Sequence, residues 1–508
     1  MSASLRLDEV DLVQLDILAS RIALGLKTGD VIALSGPLGA GKTTFSRAVV
    51  TRLGDLSEVP SPSFALMQRY ETPRLTVTHC DFYRLEPEEL EELGLDDALA
   101  EGAVLIEWAE RAAGWLPEDR LDVAIEETAE PDLRSIVLTG HGDWRARIER
   151  LAALAGFLDR APYGEAVSRH LQGDASTRSY ARLVLPDRTA ILMNAPRQPD
   201  GPPIRGGKPY SALVHLAENV TPFVAISAAL RGHGLSAPAI YAFDLDQGFL
   251  VLEDLGDRLF GGEVARGTPL AELWGQAVEL LIELAGKSPP NLLPIEGHAP
   301  YRLPRYDAEA MLTEASLLIG WFWPALHGRE TPAALREEFE ALWRPILKEA
   351  SQADPGWVLR DYHSPNLMWL PDREGIQRVG ILDFQDALNG PLAYDLVSLL
   401  QDARLDVPEA LEREQLARYC AARNRGNERF SSDDFRALYA TLGAQRNSKI
   451  LGIFARLAKR DGKRGYLAHI PRVARYLERD LTHPRLAGLR RFYQRELPAS
   501  DAFPQLGV

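Results

Sequence analysis

Cysteine is almost absent from this chain: Cys80 and Cys420 are its only two in 508 residues, in no metal-ligand spacing and too far apart to suggest a disulfide framework. Both are expected to be structural thiols in a reducing cytoplasm. Positive charge is also in short supply. The 57 Lys and Arg stand against 72 Asp and Glu, a formal net charge of -15, and such a surface repels a phosphate backbone. Direct nucleic-acid binding is therefore not expected, and any role in an RNA pathway would run through protein partners. No uninterrupted apolar run reaches membrane-spanning length. The start, MSASLRLDEVDLVQL, lacks the basic region and apolar core of a signal peptide, so a cytoplasmic protein without membrane contact is expected. No internal repeat is visible at solenoid periods.

What the chain does have is an ordinary globular composition, 46% hydrophobic and 25% charged, over a length that exceeds one hydrophobic core. Two or three domains follow. Within residues 8–27 the apolar positions Val10, Val13, Leu15, Ile17, Leu18, Ile22 and Leu24 follow acids, the pattern of an amphipathic helix that packs on a sheet. That sheet is expected to begin with VIALS at 31–35 and to continue with 75–82, 103–108 and finally 135–140. Continuous apolar runs predict strands buried on both faces, as in a mostly parallel α/β sheet. The polar HGDWRARIER then places a boundary near residue 145. A helical stretch, a strand-turn-strand pattern and the Pro/Gly-rich 196–210, read as a mobile loop, come next. Long helical patterns dominate from 260, broken by WVLRDY and VGILDF.

Residues 36–43 read GPLGAGKT, a complete G-x-x-x-x-G-K-T directly after an apolar strand and before the helical TTFSRAVVTRL. Gly36, Gly39 and Gly41 let the backbone turn its N–H groups inward, so that they and the helix start, including Thr44, cradle phosphates. Lys42 would reach the β- and γ-phosphates of ATP, and the Thr43 hydroxyl would meet Mg²⁺. Such a loop also needs an acid for the metal and a group to orient water. Glu107 in VLIEWAE and Asp81 in HCDFYRL end later strands, where open α/β sheets bind their ligands. Glu107 is the better metal candidate. Trp108 is read as a packing residue, and Arg134 as a surface arginine with a nucleotide contact as the alternative.

GPLGAGKTT, VPSPSF at 59–64, HCDFYRL at 79–85 and VLIEWAE at 104–110, in that order, resemble the TsaE family, the ATPase component of bacterial tRNA threonylcarbamoyladenosine synthesis. The resemblance implies ATP hydrolysis supporting a complex of TsaB and TsaD-like subunits. It implies Mg²⁺ held by Thr43 and Glu107, and Asp81 acting catalytically near the γ-phosphate. VPSPSF resembles a switch loop in which Ser63 stands where threonine is usual.

Farther on, LRDYHSPNLMWL and GILDFQDA place Asp361, Asn366 and Asp383 in the order of a kinase catalytic loop and metal site. Asp361 would orient or accept the acceptor hydroxyl's proton, and Asn366 and Asp383 would bind Mg²⁺. LQGDASTRSYARL reads as a phosphate-covering hairpin, and FLVLEDLGD at 249–257 as a linker between two lobes whose backbone from Glu253 to Leu255 meets adenine. Asp395 is read as a structural anchor. This half is similar to the aminoglycoside phosphotransferase family, and within it to the anomeric N-acetylmuramate and N-acetylglucosamine kinases of cell-wall recycling, through GDASTRSYARL, ILMNAP, LEDLGD and LRDYHSPNL. Two departures stand out. Leu359 occupies the usual histidine position, and ILMNAP carries no phosphate-pairing lysine, for which Arg178 or Arg182 would substitute.

The expected fold is thus an α/β P-loop NTPase domain over 1–145 followed by an α+β bilobal protein-kinase-like domain over 146–508. Its smaller lobe would span about 165–257 and its larger helical lobe about 258–508. The expected activities are an ATPase and an ATP-dependent sugar kinase. Two readings of the C-terminal half stay open beside this: a phosphotransferase for another small alcohol, including an aminoglycoside, and a non-catalytic nucleotide-binding regulator of the ATPase.

Overall fold

The structure is a computed structural model that describes residues 3–54, 66–85, 90, 92–112, 114–171 and 178–499. The switch-like segment 59–64 and the GDAST turn at 173–177 lie outside the described residues. The chain forms two compact units, one of Met1–Pro196 with Tyr241–Asp254, the other of Arg197–Ile240 with Leu255–Val508.

The first unit holds two sheets. In the larger, β1 (Ala3–Val10), β2 (Val31–Ser35), β3 (Met67–Glu71), β4 (Thr76–Asp81), β5 (Gly102–Glu107), β6 (Leu121–Glu127) and β7 (Arg134–Gly140) lie in the order β1-β7-β6-β2-β5-β4-β3. The pairs β6–β2, β2–β5 and β5–β4 are parallel, and antiparallel strands close both edges. Alternation shows why the runs are continuous: Ile32 and Leu34 enter one core, Val31 and Ala33 the other. The sheet begins earlier than the sequence predicts. Residues 3–10 form an edge strand on β7, and the helix α1 (Leu12–Gly25) starts only after it, fixed by a capping box in which Asp11 accepts from Gln14 N at 2.7 Å and Gln14 accepts from Asp11 N at 3.1 Å.

Helix α2 (Lys42–Gly54) follows the glycine-rich turn, and α3 (Leu95–Glu101) precedes β5. Helix α4 (Trp144–Arg160) runs through the position at which the charged segment suggests a boundary. Its first turns, with Trp144 and Ile148, pack into the core of the large sheet. Its last turns, with Leu154, Phe157 and Leu158, pack on the second sheet, formed by β8 (Val167–Leu171), β9 (Ser179–Val184), β10 (Thr189–Asn194) and the strands Ile240–Asp244 and Phe249–Glu253. One helix therefore serves two cores. Polar ties reinforce the junction: Ser168 N donates to Ser20 Oγ at 3.0 Å, and Arg150 Nε to Asn194 Oδ1 at 3.0 Å.

The second unit is mainly helical, its longest helix being Ser432–Asp461. The Pro/Gly-rich stretch contains more order than a loop. Pro203–Arg205 pairs with Lys208–Pro209 across Gly206 and Gly207, both at positive φ, the conformation that a two-residue hairpin turn demands.

Candidate active sites

In the first unit the turn between β2 and α2 is built as its glycines predict. Gly36 has φ +139°, and a Cβ there would lie 2.2 Å from the Ile125 carbonyl oxygen of β6, so no other residue fits. Gly39 and Gly41 also hold positive φ. Lys42 folds over the turn, its Nζ donating to the carbonyls of Gly36 at 2.8 Å and Pro37 at 2.9 Å and standing 3.7 Å above the Trp108 ring. Burial lowers its pKa, an effect opposed by Glu107, Glu110 and Asp81. A cavity of about 380 Å³ opens here, lined by Gly39, Gly41, Lys42, Thr43, Thr44, Asp81, Glu107 and Trp108 among others.

Parallel pairing of β4 with β5 sets Asp81 directly beside Glu107 at the strand ends. Glu107 is 2% exposed and held from two sides. Its Oε2 accepts from the Thr43 hydroxyl at 2.7 Å, and its Oε1 lies 2.8 Å from His79 Nε2. Asp81 Oδ1 accepts from Tyr83 N at 3.1 Å. A hydroxyl and a carboxylate oxygen meeting at one point form the hard donor set that magnesium takes. Among the described residues no three His, Cys, Asp or Glu are grouped as a metal cage.

The second unit brings Asp361, Asn366 and Asp383 together. Strand Pro355–Val358 leads into a loop where Arg360 sits at φ 74°, a left-handed turn that side chains rarely adopt and that reverses the chain just before Asp361. Asn366 Nδ2 donates to the Asp361 carbonyl at 3.0 Å, so a metal held here would meet its Oδ1. The strands Leu367–Trp369 and Val379–Ile381 pair as a hairpin, and Leu382 N donates to Asn366 O at 2.9 Å, drawing Asp383 to the same end. Gln385 Nε2 donates to Asp383 Oδ1 at 2.8 Å. The oxygens of Asn366 and Asp383 again fit a magnesium ion.

Beneath this loop Asp395, 1% exposed, accepts from Leu359 N at 2.6 Å and Arg360 N at 2.9 Å. Burial pushes its pKa up to about 7 against those two bonds. It braces the loop, as the sequence suggests. Burial also works against the charge on Asp361, but Lys449, His363, Arg360 and Arg446 together outweigh it and leave the carboxyl below its usual range. Arg360 and Lys449 converge on Glu314, Lys449 at 2.8 Å and Arg360 through a short contact. The two cations overcome burial and hold Glu314 at about 2.

The nucleotide candidates of the smaller lobe are placed less uniformly. Arg182 gives Nε and Nη2 to Asp254, at 2.7 and 3.2 Å, and so clamps the end of the strand that carries Glu253. A phosphate-pairing cation can hold a carboxylate at the same time, as the lysine of protein kinases does, so this pair is compatible with a role at phosphate. Arg178 stands just before β9. Glu253 ends the first unit's sheet, and Leu255 begins the second unit.

Four residues here have roles that the sequence did not reveal. Trp108, at positive φ, supplies the aromatic face under Lys42 rather than plain packing. Arg134 is not a loose surface group: its Nε donates to Ala40 O at 3.0 Å and its Nη1 to the carbonyls of Pro131 and Leu133, bracing the glycine-rich turn. His79 lies two residues before Asp81 and so on the same face of β4, a period-two signal that was available. Lys449 carried no local signal, because 88 residues separate it from Asp361.

Comparison with known proteins agrees with both halves. Residues 11–136 match the family described as threonylcarbamoyl adenosine biosynthesis protein TsaE, and residues 168–430 match the phosphotransferase enzyme family. An N-acetylmuramate/N-acetylglucosamine kinase from Caulobacter vibrioides is 40% identical over 359 residues, 69% of this chain and 97% of that protein. Its namesake from Pseudomonas aeruginosa is 32% identical over 319 residues, 62% of this chain and 84% of that protein. A tRNA threonylcarbamoyladenosine biosynthesis protein TsaE from Rickettsia bellii is 42% identical over 110 residues, 21% of this chain and 76% of that protein.

Proposed function

We infer the function from one premise: this chain belongs to the phosphotransferase enzyme family, and its N-terminal part belongs to the TsaE family. It is a bifunctional, ATP-using enzyme. Residues 1–145 hydrolyse ATP in support of threonylcarbamoyl transfer to tRNA adenosine, working with TsaB and TsaD-like subunits rather than binding tRNA. Residues 146–508 transfer phosphate from ATP to the anomeric hydroxyl of N-acetylmuramate and N-acetylglucosamine. Their smaller part spans about 165–257 and their larger part about 258–508. The enzyme works in the cytoplasm.

In the N-terminal site the N–H groups of Gly39 and Gly41 and the start of α2, with Thr44, cradle phosphates, and Lys42 leaves its loop carbonyls for phosphate oxygens. Thr43 and Glu107 hold the metal, and Asp81 orients the attacking water. In the C-terminal site Asp361 takes the acceptor hydroxyl's proton, while Asn366 and Asp383 hold the metal. Arg178 and Arg182 are the candidates for a phosphate-pairing cation, and the backbone from Glu253 to Leu255 takes adenine. Magnesium, where bound, neutralises the charge on the phosphate oxygens.

The observation that carries the kinase assignment is the hydrogen-bonded link from Asp361 through Asn366 to the hairpin end bearing Asp383. ADP release by the full chain is expected to depend on either sugar and to fall by at least about a thousandfold in Asp361→Asn. Turnover that ignores the sugar and survives that substitution would discard the assignment. Lys42→Ala is expected to abolish ATP-supported tRNA modification, and unchanged modification would remove the role given to the first site.

A further inference from the structure

Asp361 lies in a loop that is fastened at both of its ends. Upstream, Asp395 on the helix Ala393–Leu400 accepts from Leu359 N and Arg360 N. Downstream, a second carboxylate does the same. Asp402 Oδ2 accepts from Ser364 N at 2.8 Å, and its Oδ1 accepts from Arg404 N at 2.7 Å and Leu405 N at 3.2 Å. Asp402 stands just beyond the end of that helix, 38 residues after Ser364 in the chain, so no local motif announces it.

Both partners are closed to solvent. Asp402 is 0% and Ser364 1% exposed, which leaves no water to replace either group when the bond is lost. Between the two carboxylates the loop is joined to itself at short range. Asp361 N donates to Leu359 O at 2.9 Å, His363 N to Asp361 O at 3.1 Å and Asn366 N to His363 O at 2.9 Å. Asn366 Nδ2 returns to the Asp361 carbonyl at 3.0 Å. Ser364 thus lies between the residue that faces the acceptor hydroxyl and the residue that faces the metal, with its N–H tied to a carboxylate from outside the loop. A displacement at Ser364 moves Asp361 and Asn366 relative to each other, and a misplacement of about 1 Å at reacting groups costs on the order of a hundredfold in rate.

The turn that carries Asp402 is itself held. Arg472 of the helix Ile470–Asp480 donates Nη1 to Ala403 O at 3.0 Å and Nη2 to Asp406 Oδ2 at 2.9 Å. The bracing runs from that helix through residues 402–406 to Ser364.

We propose that Asp402 is a positioning residue of the phosphotransfer site, one that fixes the spacing of Asp361 and Asn366 through Ser364. The inference rests on the kinase assignment above and deepens it. Such a brace acts where hydroxyl, phosphate and metal are aligned in the transition state, and hardly on the binding of ATP itself.

The test is the sugar-dependent part of ADP release by the full chain, which excludes hydrolysis in the N-terminal site, for wild type, Asp402→Ala, Asp402→Asn and Arg472→Gln. Rates are taken per folded protein, as judged by circular dichroism. Asp402→Ala is expected to lower kcat by about 10- to 100-fold and to raise the magnesium concentration for half-maximal rate, with KM for ATP within about twofold of wild type. Asp402→Asn keeps one accepting oxygen and is expected to fall between the two. Arg472→Gln is expected to shift kcat and the magnesium midpoint a few-fold in the same direction. Folded Asp402→Ala that retains wild-type kcat and magnesium dependence overturns the inference while the kinase assignment stands, whether or not its thermal stability has dropped. Should both Asp402 variants fail to fold, Arg472→Gln decides, and unchanged constants there overturn the inference. A wild-type chain that phosphorylates neither N-acetylmuramate nor N-acetylglucosamine overturns both readings.

Discussion

Asp395 offers a prediction whose size and sign both come from the structure. Its carboxylate is buried against the N–H groups of Leu359 and Arg360, and its pKa is pushed up to about 7 from 3.8, with burial as the leading cause. A carboxyl raised on folding binds more protons in the folded state than in the unfolded one. Its stabilising contribution is therefore complete below about pH 4 and is lost as pH rises through about 7. A shift of about three units corresponds to about 4 kcal/mol lost over that window. Asparagine removes this titration but replaces one accepting oxygen with a donor, which opposes an N–H and costs about 1–3 kcal/mol at every pH. Asp395→Asn is thus expected to be less stable than wild type near pH 4.5 and equal or more stable near pH 8. Amide hydrogen exchange at Leu359 and Arg360, measured in the full chain across that range, reports the local stability directly. Thermal unfolding followed by tryptophan fluorescence is a second readout. A difference between the two proteins that stays constant with pH would refute the argument.

Three further outcomes are expected. Gly36→Ala should destabilise the first unit by several kcal/mol and abolish nucleotide binding, because the added Cβ would meet the Ile125 carbonyl at 2.2 Å and the backbone holds φ +139°; calorimetric ATP titration with near-normal affinity would contradict the packing described. His79→Asn should lower ATPase kcat by about 10- to 100-fold and raise the magnesium concentration for half-maximal rate, with little change in the KM for ATP, since His79 holds one oxygen of Glu107 without lining the cavity. Arg134→Ala should weaken ATP binding a few-fold by releasing the Ala40 carbonyl, and Arg134→Lys should restore part of it; equal affinities in both variants, measured by titration, would show that the brace does nothing.

Much of the fold can be read from local pattern. VIALS, the glycine-rich turn and the helix after it appear where their residues suggest, and strand ends carry Asp81 and Glu107. The edge strand at 3–10 escaped because its alternation of Leu5 and Leu7 with Ser4 and Arg6 runs into the acids that also announce a helix. The hairpin at 203–209 escaped because proline and glycine suggest a loop as readily as a tight turn. Helix α4 shows a different limit. Its charged start suggests a boundary, yet Trp144 and Ile148 belong to one core and Leu154 and Phe157 to the next.

The sequence by itself determined which chemistries are present, because a phosphate-binding turn and a kinase catalytic loop are each encoded within a few consecutive residues whose types and spacing carry the mechanism. Only the tertiary structure decided which distant groups act on them: His79 on Glu107, Arg134 under Ala40, Asp254 closing Arg182, and Lys449 and Arg446 around Asp361. Electrostatic and packing partners are chosen by distance in space, and folding brings residues tens to hundreds of positions apart to within a few ångströms of one another.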